Sequence, residues 1–189
     1  MSTSMIRRRS LCASGLSFLC TRLVYAADGS DGQSALTIVI VRHGEKPADG
    51  DNLSCQGLNR ALALPAVLMK KFRRPDLAYV PALKLGGSTA HARMFQTVTP
   101  MAVQQNLTVN SQFEEDDVTG VAKDVLRQTG LVLMVWEHTQ IPPLAKALGV
   151  ASPPAWDSKD FDSIWVVTPS GGSAKLAVKS EGIKPSGAC

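Results

Sequence analysis

The sequence predicts an α/β fold, a three-layer sandwich in which helices cover both faces of a mostly parallel central sheet. Two nearly continuous apolar runs, residues 36–42 and 131–136, are typical of strands that are buried on both faces. Stretches with helical spacing lie between the strands, and alternating strands and helices favour a parallel sheet. The chain has 189 residues, which is enough for one domain with a sizeable core.

Apolar runs and helical spacing locate the elements along the chain. Strands are predicted, in chain order, at residues 36–42, 77–80, 107–109, 131–136, 163–168 and 174–180. Helices are predicted through residues 58–68, about 90–105, 121–126 and 141–149. The last two strands flank Pro-Ser-Gly-Gly at residues 169–172 and are expected to form a hairpin at an edge of the sheet.

Local signals mark where the helices begin and end. Ser54 is expected to cap the first helix, and Pro65 is expected to kink that helix or to end its first part. A turn at residues 86–89 leads into the second helix, and Pro100 leaves the full length of that helix open. The acidic residues 114–117 open the third helix, because negative charge is favourable at a helix N-terminus.

The distribution of charge argues against a nucleic-acid partner. The formal net charge is +4, but residues 1–26 hold four arginines, Arg7, Arg8, Arg9 and Arg22, and no acidic residue. The rest of the chain therefore has 16 basic and 16 acidic residues and no net charge. A basic surface for DNA or RNA is not predicted.

Residues 1–26 have the layout of a secretory signal peptide. A basic cluster is followed by a short apolar stretch at residues 11–20 and by Val-Tyr-Ala at residues 24–26, which resembles a cleavage site. Arg22 weakens the pattern, and the apolar stretch is too short for a stable membrane anchor. We therefore expect a secreted or periplasmic protein whose single catalytic domain is residues 27–189. The alternative is a cytoplasmic protein with a basic N-terminus.

The cysteines give no sign of a metal site. Cys12 and Cys20 lie in the predicted signal peptide, which leaves Cys55 and Cys189 in the mature chain. These two can form one disulfide in an oxidising compartment, and the sequence leaves their pairing open. The sequence has no Cys-x-x-Cys pair and no carboxylates spaced for a metal, so no metal site is predicted.

Both continuous apolar strands end in polar residues that can carry chemistry. His43 follows Arg42 at the end of the first, and His138 follows Glu137 at the end of the fourth. Ligands bind where parallel strands end, so we expect the two histidines at the same edge of the sheet. Arg93 can join them from the start of the second helix. Two guanidinium groups and two imidazoles would form a pocket for a tetrahedral dianion, because arginine binds phosphate oxygens in pairs.

These residues belong to a longer, ordered set of motifs. The set is Val41-Arg42-His43-Gly44-Glu45, Leu53-Ser54-Cys55-Gln56-Gly57 followed by Arg60-Ala61, Thr89-x-x-x-Arg93 followed by Gln96-Thr97, and Trp136-Glu137-His138. In composition and order it resembles the histidine phosphatase superfamily, the phosphoglycerate mutase-like proteins. The resemblance covers residues 36–148 and implies the phosphoglycerate mutase-like fold.

The resemblance also implies an activity, that of a phosphohydrolase acting on phosphomonoesters without a metal ion or other cofactor. It implies that His43 is the nucleophile that forms a phosphohistidine, and that Arg42, Arg93 and His138 bind the phosphoryl oxygens. The attacking nitrogen must be unprotonated, so the other nitrogen of His43 is expected to donate to a backbone carbonyl of the following loop. The partner would be a small phosphorylated substrate, and the oligomeric state is left open.

The general acid, which protonates the leaving oxygen, is not settled by the motifs. Glu137 is the first candidate, although neighbours on an extended chain point to opposite faces. Glu114 and Glu115 follow the short third strand and are the second candidates, whereas Glu45 is expected to orient other groups. His91 is expected to lie at the surface or at the rim of the site.

Two alternatives to the hydrolysis of small phosphomonoesters stay open. Removal of phosphate from protein histidine is the first, and a non-catalytic phosphate- or phosphosugar-binding protein is the second. Mutase activity is not favoured, because no additional basic cluster is present to hold a bisphosphate. Specificity is expected to come from the loops at residues 46–52, 110–117 and 151–162.

Overall fold

A computed structural model of the chain describes residues 35–84 and 91–189, which form one sheet and its covering helices. The strands are β1 (Thr37–Arg42), β2 (Leu77–Tyr79), β3 (Val109–Asn110), β4 (Leu131–Trp136), β5 (Ser163–Ser170) and β6 (Ser173–Ser180). The helices are α1 (Cys55–Lys71), α2 (Ala92–Gln105), α3 (Val118–Val125) and α4 (Ile141–Ala147). None of these helices is long and apolar enough to cross a membrane. The predicted signal peptide and the predicted turn at residues 86–89 lie outside the described residues.

The sheet has the strand order β3-β2-β4-β1-β5-β6. β3, β2, β4 and β1 are parallel, whereas β5 is antiparallel to β1 and β6 is antiparallel to β5. The prediction of a mostly parallel sheet with a hairpin at its edge is therefore confirmed. The hairpin turn is shorter than expected: β5 extends to Ser170, and only Gly171 and Gly172 form the turn. Their positive φ angles, 56° and 84°, are those that a tight two-residue hairpin requires.

The helices cover both faces of the sheet, as predicted. Side chains from α1 and α2 pack on one face, and side chains from α3 and α4 pack on the other. Successive residues of β1 alternate between these layers: Val39 and Val41 contact the first, and Ile38 and Ile40 contact the second. This alternation explains why residues 38–41 of β1 are all apolar, because each of them faces a helix layer.

The first helix continues through Pro65, where the sequence predicted a kink or an end. α1 runs without interruption over 17 residues, and Pro65 lies on its buried face with Leu64 and Leu68. Proline removes one backbone hydrogen bond of the helix. Packing of the apolar face against the sheet outweighs this loss, because tertiary packing supplies most of the stability of a helix. The predicted cap is present, since the Ser54 side chain accepts from the N–H of Gly57.

After β6 the chain returns to the start of α1. Cys189 forms a disulfide with Cys55, and their Cα atoms lie 4.9 Å apart. The amide nitrogen of Asn59 donates to the carbonyl oxygens of Ser186 at 2.9 Å and of Ala188 at 2.7 Å. The pairing that the sequence left open is therefore present, and the C-terminal segment is fastened to the first turns of α1.

A buried ion-pair network joins this segment to the residues after β1. Arg60 on α1 donates from Nε and Nη2 to the carboxylate of Glu45, at 2.8–3.1 Å, and from Nη1 to Glu181 at 2.6 Å. Glu181 is only 4% exposed. Burial raises the pKa of Glu181 to about 7. The positive charge of Arg60 lowers this pKa, whereas the negative charges of Asp162 and Glu45 raise it further. Burial prevails because Arg60 is shared between two carboxylates.

The raised pKa makes the contribution of Glu181 to stability depend on pH. Between its ordinary value of 4.5 and about 7, the folded state holds a proton at Glu181 that the unfolded state lacks. The contribution is therefore fully present below pH 4.5 and is lost as the pH rises to about 7, by an amount on the order of 3 kcal/mol.

We expect Glu181→Gln to remove this dependence. The free energy of unfolding is measured with urea between pH 4.5 and pH 8. As the pH rises, the value for Glu181→Gln should increase relative to the value for the wild type. Glu114→Gln is the matched control, because the Glu114 side chain is 52% exposed and pairs with a lysine. A difference between Glu181→Gln and the wild type that stays constant with pH, or changes in the opposite direction, would show that Arg60 keeps Glu181 ionised.

Candidate active site

The candidate site begins where two neighbouring strands of the sheet end. β1 and β4 pair in parallel, and their last residues, Arg42 and Trp136, are in register. His43 follows β1 and Glu137 follows β4, so these two residues lie side by side at the sheet edge. Nε2 of His43 is 2.6 Å from Oε2 of Glu137. Because ligands of α/β sheets bind at this edge, the strand pairing places both side chains where a ligand is expected.

His43 is held on both of its ring nitrogens. Its side chain is buried, with 1% exposed, and Nδ1 lies 2.7 Å from the carbonyl oxygen of Gly44. A carbonyl oxygen and an ionised carboxylate can only accept hydrogen bonds. Nδ1 therefore donates to the carbonyl oxygen of Gly44, and Nε2 lies within hydrogen-bond distance of the carboxylate of Glu137. The backbone acceptor for Nδ1 is the one that the sequence predicted.

Glu137 contacts both histidines, so the expectation that Glu137 and His138 point to opposite faces is wrong. The alternation of an extended strand no longer applies, because β4 ends at Trp136 and the chain then turns. Burial by itself raises the pKa of Glu137, but the hydrogen bond from His43 and the charges of His43, His138 and Arg42 lower it to about 2. Glu137 is thus ionised at neutral pH and has no proton of its own to donate.

Arg42 is almost completely buried and is held by a distant segment of the chain. Its side chain is 5% exposed, and Nη1 donates to the carbonyl oxygens of Ser158 at 2.7 Å and Asp160 at 3.1 Å. The ring of Phe161 lies against the guanidinium, with its centroid 3.8 Å from Cζ. Burial lowers the pKa of Arg42 from its ordinary value, which lies far enough above neutrality for Arg42 to remain a cation.

Arg93 lies on the face of α2 that contacts the residues after β1. On this face, Oγ1 of Thr97 accepts from the N–H of Gly44 at 2.9 Å and donates to the carbonyl oxygen of Arg93 at 2.8 Å. Nη1 of Arg93 donates to the carbonyl oxygen of Gly50 at 3.3 Å, in the loop between β1 and α1. The predicted face of α2 thus supports the loop that follows the candidate nucleophile.

His138 lies beside Glu137 at the end of β4. Nδ1 of His138 contacts Oε1 of Glu137, but the two atoms lack the geometry of a hydrogen bond. Burial lowers the pKa of His138, and the charge of Glu137 opposes this. The structure therefore brings His43, Glu137 and His138 into one contact cluster.

Three buried nitrogens of the site lack hydrogen-bond partners. They are Nε of Arg42, Nε of Arg93 and Nδ1 of His138, and no other buried side-chain nitrogen or oxygen in residues 35–84 and 91–189 is unpaired. Buried polar groups are nearly always hydrogen-bonded, and each unpaired one costs roughly 1–3 kcal/mol. The three atoms belong to the three residues that the sequence resemblance assigned to phosphate binding. Oxygen atoms of an anion would satisfy the two arginine nitrogens, whereas Nδ1 of His138 already contacts the carboxylate of Glu137.

The other acidic candidates lie farther from the nucleophile. Glu114 forms an ion pair with Lys84 at 3.6 Å. Glu115 pairs with Nδ1 of His91 at 2.5 Å, and its carbonyl oxygen accepts from the indole N–H of Trp136 at 2.9 Å. Glu115 and His91 therefore lie near the end of β4, whereas Glu137 contacts Nε2 of His43 itself.

The segment that holds Arg42 was not identified as part of the site from the sequence. Ser158, Asp160 and Phe161 fall in a loop for which only a role in specificity was expected. Their contacts with Arg42 join residues 116 and 118 positions apart in the chain. No spacing or motif could have revealed these contacts, because they depend on β5 pairing beside β1.

A metal site is not apparent in the described part of the chain. Within residues 35–84 and 91–189, no group of three or more His, Cys, Asp or Glu side chains could hold a metal ion. The arginines at the candidate site, Arg42 and Arg93, carry positive charge. That the reaction needs no metal stays a prediction.

The fold that carries this site is similar to that of known proteins of solved structure. No protein-family model and no curated protein matches the chain. Among solved structures, the protein histidine phosphatase SixA complexed with tungstate matches with a TM-score of 0.60 and 17% identity, over 77% of this chain and 97% of that one.

Two further structures give the same result. The mycobacterial glucosyl-3-phosphoglycerate phosphatase with inorganic phosphate matches with a TM-score of 0.55 and 18% identity, over 78% of this chain and 99% of that one. The alpha-ribazole phosphatase from Shigella flexneri matches with a TM-score of 0.51 and 15% identity, over 79% and 99%. The chain therefore has the fold of these phosphatases, the phosphoglycerate mutase-like fold that the sequence resemblance implied.

Proposed function

We propose that the protein is a phosphatase that hydrolyses phosphomonoesters through a phosphohistidine on His43. One observation carries the proposal: the buried nitrogens without partners in the described residues all belong to Arg42, Arg93 and His138. Arg42 precedes His43 in the chain, His138 contacts Glu137, and Thr97 links Arg93 to the residue after His43, at the edge of the sheet where ligands bind. The likeness in fold to phosphatases whose structures hold tungstate or inorganic phosphate gives further support.

His43 attacks phosphorus through Nε2, while its Nδ1 donates to the carbonyl oxygen of Gly44. This hydrogen bond fixes the ring and stabilises the positive charge that develops on it. Arg42 and Arg93 bind the phosphoryl oxygens as charge builds in the transition state. Covalent transfer to His43 divides hydrolysis into two easier steps.

Glu137 moves the proton that His43 has to lose. When the phosphoryl group binds, Glu137 takes the proton from Nε2 and leaves a neutral nitrogen to attack. As the Nε2–P bond forms and the P–O bond to the leaving group breaks, Glu137 delivers this proton to the leaving oxygen. In the second step Glu137 takes a proton from the attacking water and returns it to Nε2 as the N–P bond breaks. The sum is a phosphomonoester dianion plus water giving an alcohol plus hydrogen phosphate.

Removal of phosphate from protein histidine is the second candidate function. SixA, a structural neighbour, is named a protein histidine phosphatase. The imidazole of such a substrate can be protonated on its free ring nitrogen and then leaves as a neutral group, so it needs less help from an acid than an alkoxide does. A site whose nearest carboxylate has a pKa of about 2 suits such a leaving group.

We also propose that the chain is exported, with residues 1–26 as its signal peptide. The disulfide between Cys55 and Cys189 supports this proposal, because disulfides persist mainly in oxidising compartments.

Replacement of the nucleophile provides the test of the proposed function. We expect His43→Asn to lower the turnover of p-nitrophenyl phosphate by at least about 10³-fold and to abolish the acid-labile, base-stable phosphoenzyme of the wild type. His91→Asn is the matched control, because asparagine tolerates the left-handed backbone of His91, whose φ is 61°. Tight phosphate binding by a wild type without turnover would indicate the non-catalytic alternative.

The role of Glu137 is tested with a series of leaving groups. We expect Glu137→Gln to lower kcat/KM for an alkyl phosphate by roughly 10²–10³-fold, and to affect p-nitrophenyl phosphate and a phosphohistidine peptide much less. The matched variants are Glu115→Gln and Glu114→Gln. A loss that depends on the leaving group in Glu115→Gln instead of Glu137→Gln would transfer the acid role to Glu115. A wild type that prefers the peptide over every phosphomonoester would favour the second candidate function.

Export is tested by expressing the full chain in a Gram-negative bacterium. We expect the protein in the periplasmic fraction, with an intact mass that places its N-terminus at or near Ala27. Full-length protein confined to the cytoplasm would contradict the proposal.

A further inference from the structure

We infer that Phe161 is a positioning residue that holds the guanidinium of Arg42 and the imidazole of His43 in place for phosphoryl transfer, an inference that rests on the proposed function. Phe161 precedes β5 and lies 118 positions after His43 in the chain. It would act through Arg42 and His43, since its own side chain carries no group that can react.

One aromatic ring contacts both of the residues that meet the phosphoryl group. The ring centroid of Phe161 lies 3.8 Å from Cζ of Arg42, which is the distance of a cation stacked on a ring face. The same ring lies edge-on to His43, with centroids 6.4 Å apart and an interplanar angle of 64°. A shift of this ring would therefore move the nucleophile and its neighbouring cation together.

The backbone on either side of Phe161 completes the support of Arg42. Nη1 of Arg42 donates to the carbonyl oxygens of Ser158 and Asp160, so the ring face and two carbonyl groups fix the plane of the guanidinium. Nε is left buried and, among the described residues, without a partner. The segment thus binds Arg42 at one end of its guanidinium and leaves another N–H available for an anion.

The segment is itself held in one conformation. The carboxylate of Asp160 accepts from the N–H of Asp162 at 2.8 Å and of Ser163 at 3.0 Å, which fixes the turn into β5. The indole N–H of Trp156 donates to the carbonyl oxygen of Asp160 at 3.0 Å, and its ring packs against Trp165 with centroids 5.1 Å apart. The ring of Phe161 is therefore in place before substrate binds, and such preorganisation lowers the barrier of a charged transition state.

The experiment replaces the ring and separates kcat from KM. We expect Phe161→Leu, which keeps apolar bulk and removes the ring face, to lower kcat for p-nitrophenyl phosphate about tenfold, with a change in KM below about threefold. Inhibition by tungstate should weaken by about three- to tenfold. Phe161→Tyr keeps the ring face and should stay within about threefold of the wild type in all three quantities.

The control is Phe72→Leu, because Phe72 is also half-buried but lies at the far end of α1. Phe161 is half-buried, so its variants should fold. If Phe161→Leu nevertheless lowers the melting temperature markedly, Phe161→Met is measured in its place, with the same expected losses.

The outcomes separate this role from the proposed function. Wild-type kinetics in Phe161→Leu, an equal loss in Phe161→Tyr, or an equal loss in Phe72→Leu would refute the role of Phe161 and leave the proposed function intact. A wild type that neither hydrolyses phosphomonoesters nor binds tungstate would refute both.

Discussion

The parallel pairing of β1 with β4 is the contact on which the site depends. Both strands lie in the interior of the sheet, and the register that aligns Arg42 with Trp136 puts His43 next to Glu137. A shift of one residue would turn every side chain of a strand to the opposite face and would separate these two residues. The register is set by the apolar residues that each strand presents to the two helix layers. Packing of the core therefore determines how His43 and Glu137 are placed at the edge of the sheet.

The balance of buried charge is the second constraint. Arg42 and His43 are almost completely buried, and buried charges require partners. Glu137 supplies the negative charge beside Nε2, at the place that a phosphorus atom would take in the proposed reaction. Arg60 donates hydrogen bonds to Glu45 and Glu181, which satisfies these groups beside the residues that follow His43. Nε of Arg42 and Nε of Arg93, which lack hydrogen-bond partners among the described residues, are then available to an incoming anion.

Sequence reasoning succeeded where local pattern decides structure and stopped where distant parts of the chain meet. β1 and β4 were located to within a residue, because strands covered on both faces are apolar throughout. The order of the strands could not be predicted, and β4 in fact lies between β1 and β2. Pro65 was misjudged because a local preference was outweighed by packing. The orientation of Glu137 and the support of Arg42 by Phe161 depend on register and on a strand formed much later in the chain, which no local pattern encodes.

The disulfide between Cys55 and Cys189 encloses only part of the chain in a covalent loop. It closes residues 55–189 into a ring, and the central strand β1 with the candidate nucleophile lies on an open arm outside that ring. A single proteolytic cut anywhere in residues 56–188 would leave both pieces tethered to each other. A single cut in residues 46–54 would instead release the arm that bears Arg42 and His43, so the short loop after the nucleophile is the one vulnerable covalent link between the candidate nucleophile and the rest of the domain.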